Sequence, residues 1–147
     1  MKGTKKWLGL IVSLVVVLAA GATLGQQPVG KLPDLTIEKI YLTKDCMVAV
    51  VVKNVGPGPV PDSVWTVDTL ESTGVHLYTN GSWWSWDSIK RFDSAKNLKS
   101  PGGTATCVST LQVSGAAIIK AVVDRRNVVP EANEDNNSLE TKLSCGS

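Results

Sequence analysis

From position 35 onward, hydrophobic residues recur with a period of two or in short β-branched runs, and not at the 3.6-residue spacing of an amphipathic helix. Leu35 and Ile37 alternate with Thr36 and Glu38, the pattern of a half-buried strand. The run CMVAVVVK at 46–53 ends at Asn54-Val55-Gly56-Pro57-Gly58-Pro59, as a central strand stopped by turn residues does. Further strands are predicted over 65–70 and 75–79. The second leads into Asn80-Gly81, a dipeptide that accepts positive φ at both central turn positions, so 75–86 is predicted to fold as a hairpin. The interval 87–98 holds a short helical turn at most. Ser100-Pro101-Gly102-Gly103 marks a turn before a strand at 104–113, and strands at 116–124 and 138–144 complete the series. About seven short strands without alternating helices predict an all-β fold, a single seven-stranded antiparallel sandwich.

Ahead of this domain the pattern changes. Lys2, Lys5 and Lys6 precede an almost purely apolar stretch at 7–20, followed by the small residues Gly21, Ala22, Thr23 and Gly25. A basic region at 1–6, a hydrophobic region at 7–20 and a small-residue cleavage site are the order of a secretory signal peptide. Cleavage after Ala22 or after Gly25 suits the residues, the second slightly better. The apolar stretch is shorter than the ~20 residues that span a bilayer, which favours cleavage over an uncleaved anchor. No cysteine sits just after the hydrophobic region to carry a lipid. The expected organisation is therefore a signal peptide at 1–25, a flexible lead-in at 26–33 and a sandwich at 34–145.

Removing the leader changes the electrostatics. The chain has 15 basic and 13 acidic side chains, and the leader takes three of the lysines and none of the acids. The mature domain is near neutral, without the basic footprint that nucleic acid or an anionic membrane requires. Membrane contact is expected only transiently, through the signal peptide. Export also permits a disulfide, and the three cysteines, Cys46, Cys107 and Cys145, leave at least one unpaired.

Asp34-Leu35 opening the first strand, VVVKNVGPGPV at 50–60 with Asn54 and Gly56, Pro101-Gly102-Gly103 before a Thr-rich strand, and VVDRRNVVPEANEDNN at 122–137 resemble the CARDB domain, the cell-adhesion-related domain of bacteria. The last motif is the most specific, with Asp124, Asn127, Val129, Glu131, Asn133, Glu134, Asn136 and Asn137 at the family's spacing. The resemblance spans about 34–143 and implies an Ig-like or fibronectin-III-like sandwich acting as an extracellular or envelope module for adhesion or binding. It carries over no catalytic residue and names no partner. The Trp-rich hairpin and the stretch up to Leu98 depart from the family pattern. The same motif has a local physical reading, since Asn, Asp and Glu side chains satisfy turn backbone groups and Asn tolerates left-handed φ.

In a seven-stranded sandwich, the start of the second strand and the end of the seventh lie at one pole. Cys46 and Cys145 occupy those places and are expected to be bonded. Cys107 lies within a strand, on the face of Ala105, Leu111 and Val113, and is expected free and buried as a small hydrophobe.

The candidate binding residues are Tyr78, Trp83, Trp84 and Trp86, crowded on one hairpin where exposed aromatic faces can stack on sugars or dock a protein. Strict alternation places Trp84 and Trp86 on one face and Trp83 with Ser85 on the other, one of the two faces being core. Asp124, Glu131, Glu134 and Asp135, with Asn136, carry oxygens of the kind calcium takes, but their spacing is not that of a calcium loop and turn capping accounts for them equally. His76, the single histidine, is expected on an exposed strand face, with no nucleophile motif around it or around Cys107.

The chain accordingly reads as a non-catalytic secreted or periplasmic binding or adhesion module. It requires no cofactor, and its partner is an unknown protein or glycan at the cell surface. An accessory subunit of an envelope assembly, pairing its sheet edges with another chain, is the alternative, and a calcium-dependent carbohydrate-binding module a more distant one.

Overall fold

The structure, a computed structural model, describes residues 30–146, with all side chains except that of Leu111. The expected signal peptide and the first half of the lead-in, 26–29, lie outside the described residues. Seven strands form two antiparallel sheets: β1 Leu35–Leu42, β2 Met47–Asn54, β3 Gly74–Thr79, β4 Ser82–Ser88, β5 Thr104–Gln112, β6 Gly115–Val123 and β7 Ser138–Cys145. One sheet has the order β1-β2-β5 and the other β4-β3-β6-β7. Pairing β4 with β3 makes a three-plus-four sandwich, unlike the antibody constant domain, in which the fourth strand joins the sheet of the first.

Between the sheets lies one core, built by the period-two positions. Leu35, Ile37 and Ile40 of β1, Val48, Val50 and Val52 of β2, and Ala105 and Cys107 of β5 face Val75 and Leu77 of β3 and Ile119, Ala121 and Val123 of β6. The β1–β2 register shifts between Ile37 and Lys39, so Ile40 rather than Lys39 turns inward. Asn80 (φ 47°) and Gly81 (φ 80°) make the two-residue turn that their sequence predicts.

The strand expected at 65–70 does not form. Asp62–Trp65 is a single 3-10 turn, after which Val67 and Leu70 are exposed. Trp65 instead plugs one pole, its indole Nε1 donating to the Asp93 carbonyl at 2.8 Å. The following backbone closes on itself, with Ser72 N donating to the Thr69 carbonyl and Thr69 N donating to the Ser72 hydroxyl. The interval 87–98 contains two helical turns, α1 Ile89–Phe92 and a 3-10 turn Asn97–Lys99, which bury Ile89 and Leu98 against the core.

A fully buried asparagine locks the ends of several elements together. Asn54 Oδ1 accepts from the amides of Asp34 and Gly56, both at 3.1 Å, and Nδ2 donates to the carbonyls of Gly58 at 3.0 Å and Leu98 at 3.4 Å. Its own backbone bonds the turn at Gly102 and Gly103. The chain at 31–34 crosses so closely that a Cβ on Gly56 would sit 2.5 Å from Asp34 N, and one on Gly58 would overlap the Lys31 carbonyl. The Asn-Val-Gly-Pro-Gly motif is therefore a docking seat for the chain entering β1.

Cys46 and Cys145 form a disulfide with Cα atoms 5.8 Å apart, joining the start of β2 to the end of β7 across 99 residues of sequence, and Cys107 is free and buried. Burial, followed by the neighbouring Asp87 charge, pushes the Cys107 thiol up to about 12, which keeps it protonated and inert toward exchange with the disulfide.

Two outcomes follow from these constraints. Asn54→Ala strands two amides and two carbonyls in the interior and is expected to cost about 3 kcal/mol or more, measured by urea unfolding, while Lys53→Ala, which breaks an exposed ion pair with Glu38, costs under about 1 kcal/mol. Reducing the Cys46–Cys145 bond is expected to lower stability by about 4 kcal/mol on the chain-entropy account of a loop this long. An unchanged urea midpoint after reduction would refute that.

Candidate functional site

The four-stranded sheet turns one face to the core and the other outward. Antiparallel partners share a face, and on the outer one Trp86 lies opposite His76, which lies opposite Val122; Trp83 lies opposite Tyr78, which lies opposite Lys120, itself paired with Glu140. The β3–β4 register shifts between Leu77 and Tyr78, where Leu77 pairs Ser85 and Tyr78 pairs Trp83. This bulge corrects the alternation expected from sequence. Trp83 and Trp86 share the outer face, and Trp84 packs against the core.

The four aromatic candidates thus divide by environment. Trp83 is 56% exposed, whereas Tyr78, Trp84 and Trp86 are partly covered. The Arg91 guanidinium lies 4.8 Å from the centre of the Trp86 ring and bonds Asp87 at 2.7 Å, so Trp86 is stacked within the molecule. Of the three hairpin tryptophans, Trp83 is the one that presents most of its surface to solvent.

His76 is buried, at 2% exposure, and not on an open strand face as expected. The pole loop bearing Leu70, together with Trp83, Arg125 and Arg126, closes over it. Burial, then the charges of Arg125 and Arg126, hold its pKa below the ordinary histidine value. Cys107 faces the core beside Asp87, so the histidine and the free thiol lie on opposite sides of β3 and do not meet. What covers His76 comes from remote segments that no local pattern reveals, which is why the expected exposure does not hold.

The acidic stretch 124–137 connects β6 to β7 and binds backbone. Asp124, at φ 46°, accepts from the amides of Val128 at 3.1 Å and Val129 at 2.8 Å; Glu131 Oε2 accepts from Leu35 N at 2.8 Å; and Glu134 accepts from Glu131 N at 2.8 Å. Asp135 is exposed, and Asn136 Nδ2 donates to the Asp34 carboxylate at 2.9 Å. Asn127 takes the left-handed φ of 49° that asparagine tolerates. These contacts clamp the start of β1 from the side opposite Asn54. Among the described residues no three His, Cys, Asp or Glu side chains are grouped so as to hold a metal. Asp124, Glu131 and Glu134 direct oxygens at amides instead, a donor set spent on the fold.

Glu131 stands out in this loop. It is 7% exposed, and its Oε1 has no hydrogen-bond partner. Burial, reinforced by the charges of Asp124, Glu134 and Asp34, pushes its carboxyl up to about 8, against the lowering effect of the Leu35 amide.

The architecture defines a class: an antiparallel three-plus-four sandwich with a tightly stitched β6–β7 loop. Within that class the chain resembles the CARDB domain in fold as well as in motif. It matches the CARDB domain of the PF1109 protein from Pyrococcus furiosus, solved in complex with di-metal ions, at 29% identity and a TM-score of 0.52, covering 78% of this chain and 94% of that one. A domain assigned to a cell surface protein of Methanosarcina acetivorans matches at 16% identity and a TM-score of 0.57, covering 79% and 94%, and shows the fold alone. No family model and no curated protein matches the chain. No helix among the described residues is long and apolar enough to cross a membrane.

The Glu131 environment sets a pH dependence. The folded chain holds the Glu131 proton to about pH 8, whereas the unfolded chain releases it near the ordinary 4.5. Its contribution is thus complete below about 4.5 and is lost as pH rises toward 8. Glu131→Gln keeps an acceptor for Leu35 N and cannot ionise, so its thermal midpoint is expected to gain on the wild type between pH 5 and pH 8. His76, whose depressed pKa removes stability as pH falls below its unfolded value, has the opposite slope and cancels in this difference. A gap that stays constant with pH would overturn the assignment.

Proposed function

We propose that this chain is a non-catalytic binding module exported to the cell surface or periplasm, and that it engages a glycan or protein through the outer face of the β4-β3-β6-β7 sheet. The observation that carries this reading is Trp83. A 56% exposed indole beside Tyr78, sharing a hollow with the half-exposed Leu70, offers a contiguous apolar surface on which a ligand can stack. The likeness to a CARDB domain and the signal-peptide pattern support an extracellular setting.

A glycan array combined with whole-cell adsorption tests the proposal. Trp83→Ala is expected to lose binding with its thermal midpoint unchanged, whereas Trp84→Ala, on the core side, lowers the midpoint by the cost of a cavity, about 3 kcal/mol. Retention of full binding by Trp83→Ala would remove the outer face from consideration. Self-association in sedimentation that also survives Trp83→Ala would favour pairing through sheet edges.

A further inference from the structure

We infer that the outer face binds an acidic sugar chain, with Trp83 stacking on a pyranose ring and Arg125 holding that chain's carboxylate; this rests on the reading of the face as a binding surface. Two hollows open there. One, of about 230 Å³, is lined by Leu70, His76, Trp83, Arg125 and Arg126. The other, of about 440 Å³, is lined by Tyr78, Gly81, Lys120, Val122, Arg125 and Glu140. Arg125 is the wall they share. The first lies below, and the second at the lower end of, the roughly 300–1,000 Å³ of pockets for drug-sized ligands. Two small hollows in a row suit consecutive units of a linear polymer better than one bulky ligand.

The charges select its sign. Arg126 is paired with Glu71 at 2.9 Å, and Lys120 lies opposite Glu140 in the β6–β7 ladder. Arg125 is exposed and has no ion pair or hydrogen bond among the described residues. A single uncommitted guanidinium between the hollows complements one planar, singly charged anion, and its fork matches a carboxylate in two parallel hydrogen bonds. The buried His76 beneath it has an unpartnered Nδ1 and is held neutral, so it adds no competing charge to the floor.

The other polymers fit less well. An extended peptide docks by adding a strand to a free edge, here β4 or β7, whereas both hollows lie over the face of the sheet and reach β3, the larger also β6, strands that are paired on both sides. A nucleic acid requires a row of cations to neutralise successive phosphates, and the cations lining the hollows, Lys120, Arg125 and Arg126, alternate with Glu140 and Glu71. The flat exposed indole offers an apolar surface for the C–H face of a sugar ring, with polar groups at its rim for the hydroxyls.

The experiment is calorimetric titration of the whole exported chain with oligogalacturonate, with its carboxyl-reduced neutral counterpart of equal length, and with a sulfated dextran and an oligonucleotide as competitors. The acidic oligomer is expected to bind at least about tenfold more tightly than the neutral one, the worth of a charge-assisted hydrogen bond, and to weaken with salt. Arg125→Gln is expected to abolish that preference without moving the thermal midpoint, and Trp83→Ala to weaken both oligomers. Equal affinity for the neutral oligomer, an unchanged preference in Arg125→Gln, or equal competition by the sulfated dextran or the oligonucleotide would overturn the inference. If neutral glycans bind in a Trp83-dependent way while Arg125→Gln is silent, the acidic-sugar assignment falls and the binding face stands. If no saccharide binds and cell adsorption ignores Trp83→Ala, both fall.

Discussion

The side chain of Asn54 is the interaction on which the other elements converge. Its carboxamide has two acceptor and two donor sites, and all four are used, by the entry to β1, the loop after β2 and the turn before β5. A buried polar group is costly when partly satisfied and specifying when fully satisfied, so this one residue defines how three chain segments meet. The adjoining glycines are required by space: at Gly56 and Gly58 the crossing backbone occupies the volume a side chain would need. From the other side, Glu131 and Asn136 grip Leu35 and Asp34. The start of β1 is thus held between two loops that are far apart in sequence, and the terminal disulfide ties the opposite pole.

That clamp frees the four-stranded sheet to carry a surface of its own. The core needs only the inward residues of β3 and β6, and the bulge in β4 sends one tryptophan inward while leaving two outward. Without the register shift, Trp83 would face the other side. A local irregularity of the backbone therefore decides whether the hairpin supplies core or surface, as bulges commonly do where a side chain must be re-aimed.

The acidic loop illustrates how composition misleads when backbone demand is invisible. Four acids within fourteen residues suggest cation chemistry, yet Asp124 alone satisfies two amides and Glu131 another. A connection that leaves one strand and reaches back to β1 has many amides without ladder partners, and carboxylates and carboxamides are the side chains that can accept from them. Glu131 is the member whose second oxygen found no partner, and this makes it the titrating point of the loop.

Local pattern was sufficient for all seven strands in their order, for the Asn80-Gly81 turn and for the placement of Cys46 and Cys145 at one pole, because period-two alternation and turn chemistry are properties of neighbouring residues. The proposed strand at 65–70 failed because its apolar residues answer to the pole, where Trp65 is a plug, and not to a sheet edge. Alternation along 82–86 was legible, but the bulge that shifts its phase arises from pairing with β3. Exposure of Trp83, burial of His76 and the isolation of Arg125 depend on which remote segments cover the outer face. Sequence therefore determined which residues form strands and which turn the chain; the tertiary structure alone decided which side chains those strands leave uncovered, because coverage is set by contacts between segments distant along the chain.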